Sequence, residues 1–313
     1  MEKWKILITD GLEETGLAIL RAEVEVESRE VLPAEELLQI IGDYEALVVR
    51  GRTKVTGQVF LAGSKLKVVG RAGVGVDNID LAAANARGVT VVNSPLATSQ
   101  AVAEHTLGLM LALARSIPLG DAGMKSGQWL KKELLGVEVQ GKVLGVIGMG
   151  NIGSTVARLA AALSMQVIGF DPLVPPAEIQ QCGAEPVTLG ELYNRSDFIT
   201  IHVPLTQETK GMINGQSLGH MKRGVRLVCA ARGGVIDETA LLGALESGQV
   251  AGAALDVFAQ EPPGVSALVT HPAVVATPHI GAQTVEAQAR AARDIALEVL
   301  SALKGEPLRW RVV

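Results

Sequence analysis

The sequence predicts an α/β fold made of two doubly wound parallel-sheet domains. Three observations carry that expectation. Short β-branched runs alternate with amphipathic helical stretches along most of the chain, the pattern of a parallel sheet covered on both faces. The 313 residues exceed one ordinary core and suit about two domains of roughly 100–200 residues each. Glycine numbers 35, above its usual ~7%, and without a three-residue period, which points to tight strand-to-helix turns and to backbone that approaches a ligand.

In chain order, the first domain has expected strands at 4–9, 24–27, 46–50, 67–71 and 89–92. Helical patterns lie between them near 12–22, 34–41, 57–63 and 78–87. The stretch Asn93 to Ser99 reads as a linker, and Thr98 or Ser99 can cap a long helix running to about Arg115. A second α/β unit follows, with strands near 142–148, 166–170, 197–201, 225–230, 251–256 and 273–276. The Ala-rich helix from about Thr284 to Lys304 comes too late to need a place in the second sheet. It is expected to pack back on the first domain. The expected division is therefore 1–97 plus 284–313 for the first domain and 98–283 for the second.

Composition excludes several classes of function. An apolar fraction of 48% with 19% charged residues rules out a disordered polymer. Two cysteines, Cys182 and Cys229, make no disulfide scaffold and lack metal-ligand spacing, so no metal is expected and a reducing, cytoplasmic setting is. The most apolar helical stretch, Ala101 to Ala114, contains Glu104 and His105 and falls short of the roughly 20 residues a bilayer needs. The start, with no long apolar run, reads as a strand and not a signal segment. A net charge of -5 without a basic run argues against nucleic acid.

Gly148-Met149-Gly150-Asn151-Ile152-Gly153 ends a strand and opens an Ala-rich helix near 152–164. The first glycine permits the tight turn, the second lets a pyrophosphate approach the backbone, and the third lets helix and strand pack closely. The phosphates would sit on the unpaired N–H groups of the helix N-terminus. The next strand, Gln166 to Phe170, ends in Asp171, 18 residues after Gly153. A carboxylate there accepts hydrogen bonds from ribose hydroxyls and repels a 2′-phosphate, so the expected cofactor is NAD, not NADP. A Gly-rich turn with an incidental Asp would not present strand, glycines, helix, strand and acid in this order.

Three later strand ends each carry a polar residue. Val225 to Ala231 leads to Arg232-Gly233-Gly234, Ala251 to Asp256 leads to Glu261, and Ala273 to Thr277 leads to Pro278-His279-Ile280-Gly281. In open parallel sheets ligands bind outside the carboxyl ends of strands. Arg, Glu and His delivered there suit hydride transfer between a carbinol and NAD. A histidine titrates near neutrality and can take the hydroxyl proton, and a carboxylate partner orients its ring. An arginine can hold a substrate carboxylate with two parallel hydrogen bonds. Each residue alone reads more plainly as a turn, loop or surface group. Their joint arrival behind a dinucleotide fingerprint favours catalysis.

These residues, together with Val69 to Asn78, Asp256 to Pro263 and Pro278 to Gln288, make the chain resemble the D-2-hydroxyacid dehydrogenases over nearly its whole length. The last stretch looks like their phosphoglycerate branch, not the formate or lactate branches. The resemblance implies a flavodoxin-like substrate domain, an inserted Rossmann NAD-binding domain, and an active site in the cleft between them. It implies a homodimer built through the nucleotide domains and a phosphorylated 2-hydroxy acid, 3-phospho-D-glycerate, as substrate, at the entry to serine synthesis. It assigns Arg232, Glu261 and His279 to catalysis. The cofactor would meet Gly148, Gly150, Asn151, Ile152, Gly153, Asp171, Val203, Ala230, Arg232, Asp256, His279, Gly281 and Ala282. Gly73 and Val74 would offer N–H groups to the substrate carboxylate, with Gly75 and Asn78 shaping the loop, and Arg50 and Arg71 would meet the phosphate.

Lys131, after Trp129, would by the same resemblance reach the partner subunit's site, where relatives carry Arg. Cys229 and Ala97-Thr98 are further departures from the family pattern. Longer relatives carry C-terminal regulatory domains that bind serine, and a chain ending at Val313 is expected to lack that feedback. The alternatives are a glyoxylate or hydroxypyruvate reductase of the same fold, and an NAD(H)-sensing binding protein of the corepressor branch.

Overall fold

The computed structural model describes residues 3–313. Met1 and Glu2, with which the first expected domain begins, lie outside the described residues. Its contacts divide the chain into two units: residues through Thr98 together with Ala282–Val313, and Ser99–Gly281.

The first unit alternates strand and helix: β1 (Lys5–Ile8), α1 (Glu14–Glu23), β2 (Glu25–Ser28), α2 (Ala34–Ile40), β3 (Ala46–Val49), α3 (Gly57–Ala62), β4 (Val68–Arg71), α4 (Leu81–Ala86) and β5 (Thr90–Asn93). The strands pair in parallel in the order β2-β1-β3-β4-β5, the flavodoxin-like winding. Alternate strand residues feed two separate cores, as a period of two requires. Leu7, Leu47, Val49, Val69 and Val91 face one layer, and Ile6, Ile8, Ala46, Val48, Val68 and Val92 face the other.

The second unit opens with α5 (Ser99–Ala114) and α6 (Ile117–Lys125). There follow β6 (Val143–Ile147), α7 (Asn151–Ala162), β7 (Gln166–Phe170), α8 (Pro176–Gln181), β8 (Glu185–Pro186), α9 (Leu189–Arg195), β9 (Phe198–Ile201), α10 (Gly215–Gly219), β10 (Val225–Cys229), α11 (Glu238–Glu246), β11 (Val250–Leu255) and β12 (Val274–Ala276). The sheet order β12-β11-β10-β9-β6-β7-β8 is the Rossmann winding with β12 added at one edge, and its pairs are parallel. Ile168, Ile199, Ile201, Leu227 and Leu255 fill one face, and Leu144, Val146, Phe198, Val228 and Ala254 fill the other.

Helix α12 (Val285–Lys304) returns to the first unit, where it packs on α1, β4 and β5. Thr284 caps it by accepting from Ala287 N at 3.1 Å, and Gly305 at φ 71° ends it. Glycines make the close approach possible, since a Cβ on Gly16 would strike the Ala292 backbone and one on Gly70 would strike Val299. After α12 the chain adds backbone hydrogen bonds to β5, from Val312 N to Val91 O at 2.8 Å, and so covers a sheet edge. Buried Glu298 anchors this turn by accepting from Arg309 N and Trp310 N.

Most expected boundaries move by a residue or two, and two helix ends move for clear local reasons. The helix expected over 78–87 is the shorter α4, because Asp80 accepts from Ala83 N and caps the chain there, while Ile79 bridges to Val55. The helix expected over 152–164 is α7, with Ser164 in the left-handed region at φ 61° just past it. Strand β8 and helices α6, α8, α9, α10 and α11 have no counterpart in the expected elements. Among the described residues no helix is long and apolar enough to cross a membrane.

Candidate active site

The loop between β6 and α7 meets the steric demands of a pyrophosphate site. Gly148 adopts φ 91°, and a Cβ there would strike the His202 carbonyl. A Cβ on Gly153 would strike the Gly148 carbonyl, so helix and strand need that glycine to pack. A Cβ on Gly150, by contrast, would meet no protein atom within 4 Å. Open space over the middle glycine, at the N-terminus of a 12-residue helix, fits phosphates approaching the backbone. Asn151 and Ile152 form the first turn of that helix.

Asp171 follows β7 directly. Its carboxylate accepts from Met149 N and Leu173 N, both at 2.8 Å, which aims it beside the glycine loop. His202, at the end of β9, carries a ring whose two nitrogens are buried and unpartnered among the described residues. Burial pushes its pKa down to about 4, so it is a neutral spacer under the loop at pH 7. Val203 follows it, half-buried.

The three later strand ends deliver the expected trio within this unit. Arg232 follows β10, and its Nη1 donates to the Ala231 carbonyl at 2.7 Å. Gly233 is required beside it, since a Cβ there would strike the Phe258 carbonyl. His279 Nδ1 lies 2.8 Å from Glu261 Oε2, with half of the His279 side chain exposed. Glu261 Oε1 in turn accepts from Phe258 N at 3.1 Å, which holds the carboxylate in place. A carboxylate only accepts, so Nδ1 carries a proton toward Glu261, which leaves Nε2 as the ring nitrogen that faces away from it. His279 itself sits at φ 54°, a left-handed conformation uncommon outside glycine.

Asp256, the residue after β11, is buried to 1% side-chain exposure. Its Oδ1 accepts from Thr277 Oγ1 at 2.6 Å and Ile280 N at 2.9 Å, and its Oδ2 from Gly281 N at 2.8 Å. His105 Nε2, on α5, lies 3.3 Å from Oδ1. Burial raises the Asp256 pKa, but the hydrogen bonds from His105, Thr277, Ile280 and Gly281 outweigh it and leave the carboxyl below its ordinary range. Ala230 and Cys229 are buried beside this strand end, and burial pushes the Cys229 thiol up to about 11, so it is an inert packing group. Ala282 packs with the first unit, where its carbonyl accepts from Gln288 Nε2 at 2.7 Å.

The first unit brings its own residues to the carboxyl ends of adjacent strands. Val49 and Arg71 are in register on β3 and β4, so Arg50 and Arg71 leave the sheet side by side. Arg71 lies over Gly73, where a Cβ would strike its guanidinium. Asp10, just past β1, gathers the loop 50–53 by accepting from Arg50 N, Arg52 N, Thr53 N and Thr53 Oγ1.

Two expectations are corrected here. Gly73 does not hold a free N–H for a substrate carboxylate, because it donates to buried Ser94 Oγ at 2.7 Å. Asn78 shapes a different loop from the one expected. Its Nδ2 donates to the Arg50 and Thr53 carbonyls at 3.1 and 2.7 Å, while the 73–75 turn is tied by Asn93 Nδ2 to Val74 O. The sequence reading also passed over Asp10, Ser94 and His105. Asp10 directly follows an expected strand, and that position is the one signal that pointed to it.

Comparison with known proteins gives a consistent set. Residues 107–281 match the sequence model of the D-isomer specific 2-hydroxyacid dehydrogenase NAD binding domain. A D-3-phosphoglycerate dehydrogenase from Synechocystis is 45% identical over 308 residues, covering 98% of this chain and 56% of the relative. One from Methanocaldococcus jannaschii is 49% identical over 303 residues, covering 96% of this chain and 58% of the relative. The chain thus spans little more than half the length of the curated relatives it matches. The solved structure of a glyoxylate reductase from Paecilomyes thermophila superposes with a TM-score of 0.92 at 31% identity, covering 100% of this chain and 99% of that one.

Proposed function

The chain belongs to the D-isomer specific 2-hydroxyacid dehydrogenases, and from that premise we propose that it oxidises 3-phospho-D-glycerate to 3-phosphohydroxypyruvate with NAD, opening serine synthesis. The observation that carries the reading is the His279–Glu261 pair at 2.8 Å, which, like Arg232, follows a strand end of an NAD-binding domain. Likeness to D-3-phosphoglycerate dehydrogenases at 45% and 49% identity supports this substrate over other 2-hydroxy acids.

NAD, when bound, supplies the hydride acceptor. Gly148, Gly150, Asn151, Ile152 and Gly153 would hold its phosphates, Asp171 its adenosine ribose, and Val203, Ala230, Asp256, Gly281 and Ala282 its remainder. His279 takes the hydroxyl proton on Nε2 as the carbon loses hydride, and Glu261 steadies the imidazolium that results. Arg232 holds the substrate carboxylate with paired hydrogen bonds and draws charge from the forming carbonyl. Val74 and Gly75 take over the N–H role that Gly73 has committed to Ser94. Arg50 and Arg71 serve the phosphate.

We read the working form as a homodimer in the cytoplasm. The apolar side chains of α6 and the segment after it support the dimer: Ile117, Met124, Trp129 and Leu135 are exposed, the last to 93%. Covering such a patch with a second copy removes it from water. Two free cysteines, Cys182 and Cys229, support a reducing compartment.

The test is NADH formation from 3-phospho-D-glycerate and NAD, beside NADH consumption with hydroxypyruvate and glyoxylate. Turnover that requires the phosphate is the expected result. Turnover confined to unphosphorylated oxoacids moves the chain to the reductase reading, with which the likeness to a glyoxylate reductase is consistent. Tight NADH binding without turnover leaves a nucleotide-sensing protein.

A further inference from the structure

The turn that carries His279 places three of its donors on one buried carboxylate, and one side chain from outside the turn reaches that carboxylate. Thr277 Oγ1, Ile280 N and Gly281 N all donate to Asp256. These three donors belong to the turn being held. Among the described residues, His105 on α5 is the side chain that ties the Asp256 carboxylate to another element.

The proton inventory settles how it does so. Thr277 Oγ1 commits its proton to Asp256 Oδ1 at 2.6 Å. His105 Nε2 lies 3.2 Å from that Oγ1 and 3.3 Å from that Oδ1. Both atoms facing the ring therefore accept, so Nε2 carries a proton and donates to the pair. The packing is close as well, since a Cβ on Gly281 would stand 3.1 Å from Asp256 Oδ2 and 3.6 Å from His105 Cδ2. A non-glycine residue at φ 54°, such as His279, persists where surrounding bonds over-determine it. Besides its bond to Glu261, its own N–H donates to the Thr277 carbonyl at 3.0 Å, within the same turn.

We infer that His105 is a positioning residue for His279: it anchors the Asp256–Thr277 pair to α5 and so fixes the direction in which His279 presents Nε2. The inference rests on reading His279 as the proton acceptor. His105 does not touch the reacting atoms. Without its N–H, Asp256 and Thr277 keep their mutual bond and their backbone bonds to Cys229 O and Leu255 O, but the Asp256 carboxylate and the turn beyond Thr277 lose their side-chain tie to α5.

The experiment compares His105→Leu with His105→Gln in the chain as it stands. Gln replaces the N–H donor, while Leu keeps bulk without one. Three quantities are read: kcat and KM for 3-phospho-D-glycerate, amide hydrogen exchange of residues 277–281, and the thermal midpoint. Misplacing a catalytic group by about 1 Å costs up to roughly a hundredfold in rate. His105→Leu is expected to lower kcat about tenfold or more with KM within about twofold, to speed exchange in 277–281 alone, and to keep the thermal midpoint. His105→Gln is expected to restore most of both. Wild-type kcat and exchange in His105→Leu would overturn the inference, as would equal losses in the two variants or exchange raised throughout the unit. If the wild type does not oxidise 3-phospho-D-glycerate, the functional reading fails, and the exchange of 277–281 still decides whether His105 holds the turn.

Discussion

Asp10, after β1, and Asp256, after β11, are both buried carboxylates at the carboxyl end of a strand, and each gathers four donors around a functional loop. They differ in where the donors come from. All of the Asp10 donors belong to the loop 50–53, which carries Arg50. Asp256 draws three from the turn that carries His279 and one from α5. The contrast parallels the work proposed for each loop. A guanidinium attracts a phosphate over several ångströms, so for the role proposed for Arg50 the bonds that Asp10 and Asn78 make to the loop backbone suffice. A proton acceptor must come within about 2.6–3.2 Å of the hydroxyl it serves, so its turn needs an anchor outside itself.

The widest separation between the two regions should come from their end residues. His279→Ala is expected to lower kcat about 10²–10⁴-fold while NADH affinity, read by fluorescence titration, is largely kept. Loss of NADH binding in parallel would move His279 from proton transfer to cofactor retention and blur the contrast. Asp10→Asn should act on the other term. The expected outcome is a KM for 3-phospho-D-glycerate raised about tenfold with kcat nearly unchanged, since a carboxylate that accepts several bonds is replaced by a weaker acceptor. A fall in kcat with constant KM would mean that the loop 50–53 serves chemistry, not grip.

Asp171→Ala offers a comparison inside the nucleotide unit, with an expected loss of roughly tenfold in the preference for NAD over NADP in paired kinetic assays. Unchanged preference would remove Asp171 from the ribose. The smallest effect concerns acid. The Asp256 carboxyl lies below its unfolded value of ~3.9, so the native state favours the ionised form. Its stabilisation is complete above that value and is lost as pH falls through the lower native one. Denaturant midpoints at pH 7 and pH 3 should therefore differ less in Asp256→Asn than in the wild type. An unchanged difference would assign the acid sensitivity elsewhere.

The site was readable to the extent that its residues follow strands. Arg232, Asp256, His279, Arg50 and Arg71 each stand at or just beyond an expected strand, and parallel winding delivers such positions to one end of each sheet. Gly148, Gly150 and Gly153 were readable because each answers a steric demand of backbone on backbone or backbone on ligand. The partners were not readable. His105 precedes Thr277 by 172 residues, and Ser94 faces Gly73 across a strand pair, and neither spacing has a period. For the same reason Gly73 looked free to donate, although its N–H is committed.

The sequence by itself determined the two parallel sheets and the Gly-rich turn of an NAD-binding domain, and it put forward Arg232, Glu261 and His279 as the proposed catalytic trio. These follow from periodicity, steric limits on glycine and the chemistry of three side chains. Tertiary structure alone decided which N–H groups are already used, that Asn78 and Asp10 shape the Arg50 loop, that Cys229 is sealed, and that His105 anchors the turn of His279. Each of these depends on which groups from distant parts of the chain come within 2.6–3.3 Å of one another, and that distance exists only once the layers have packed.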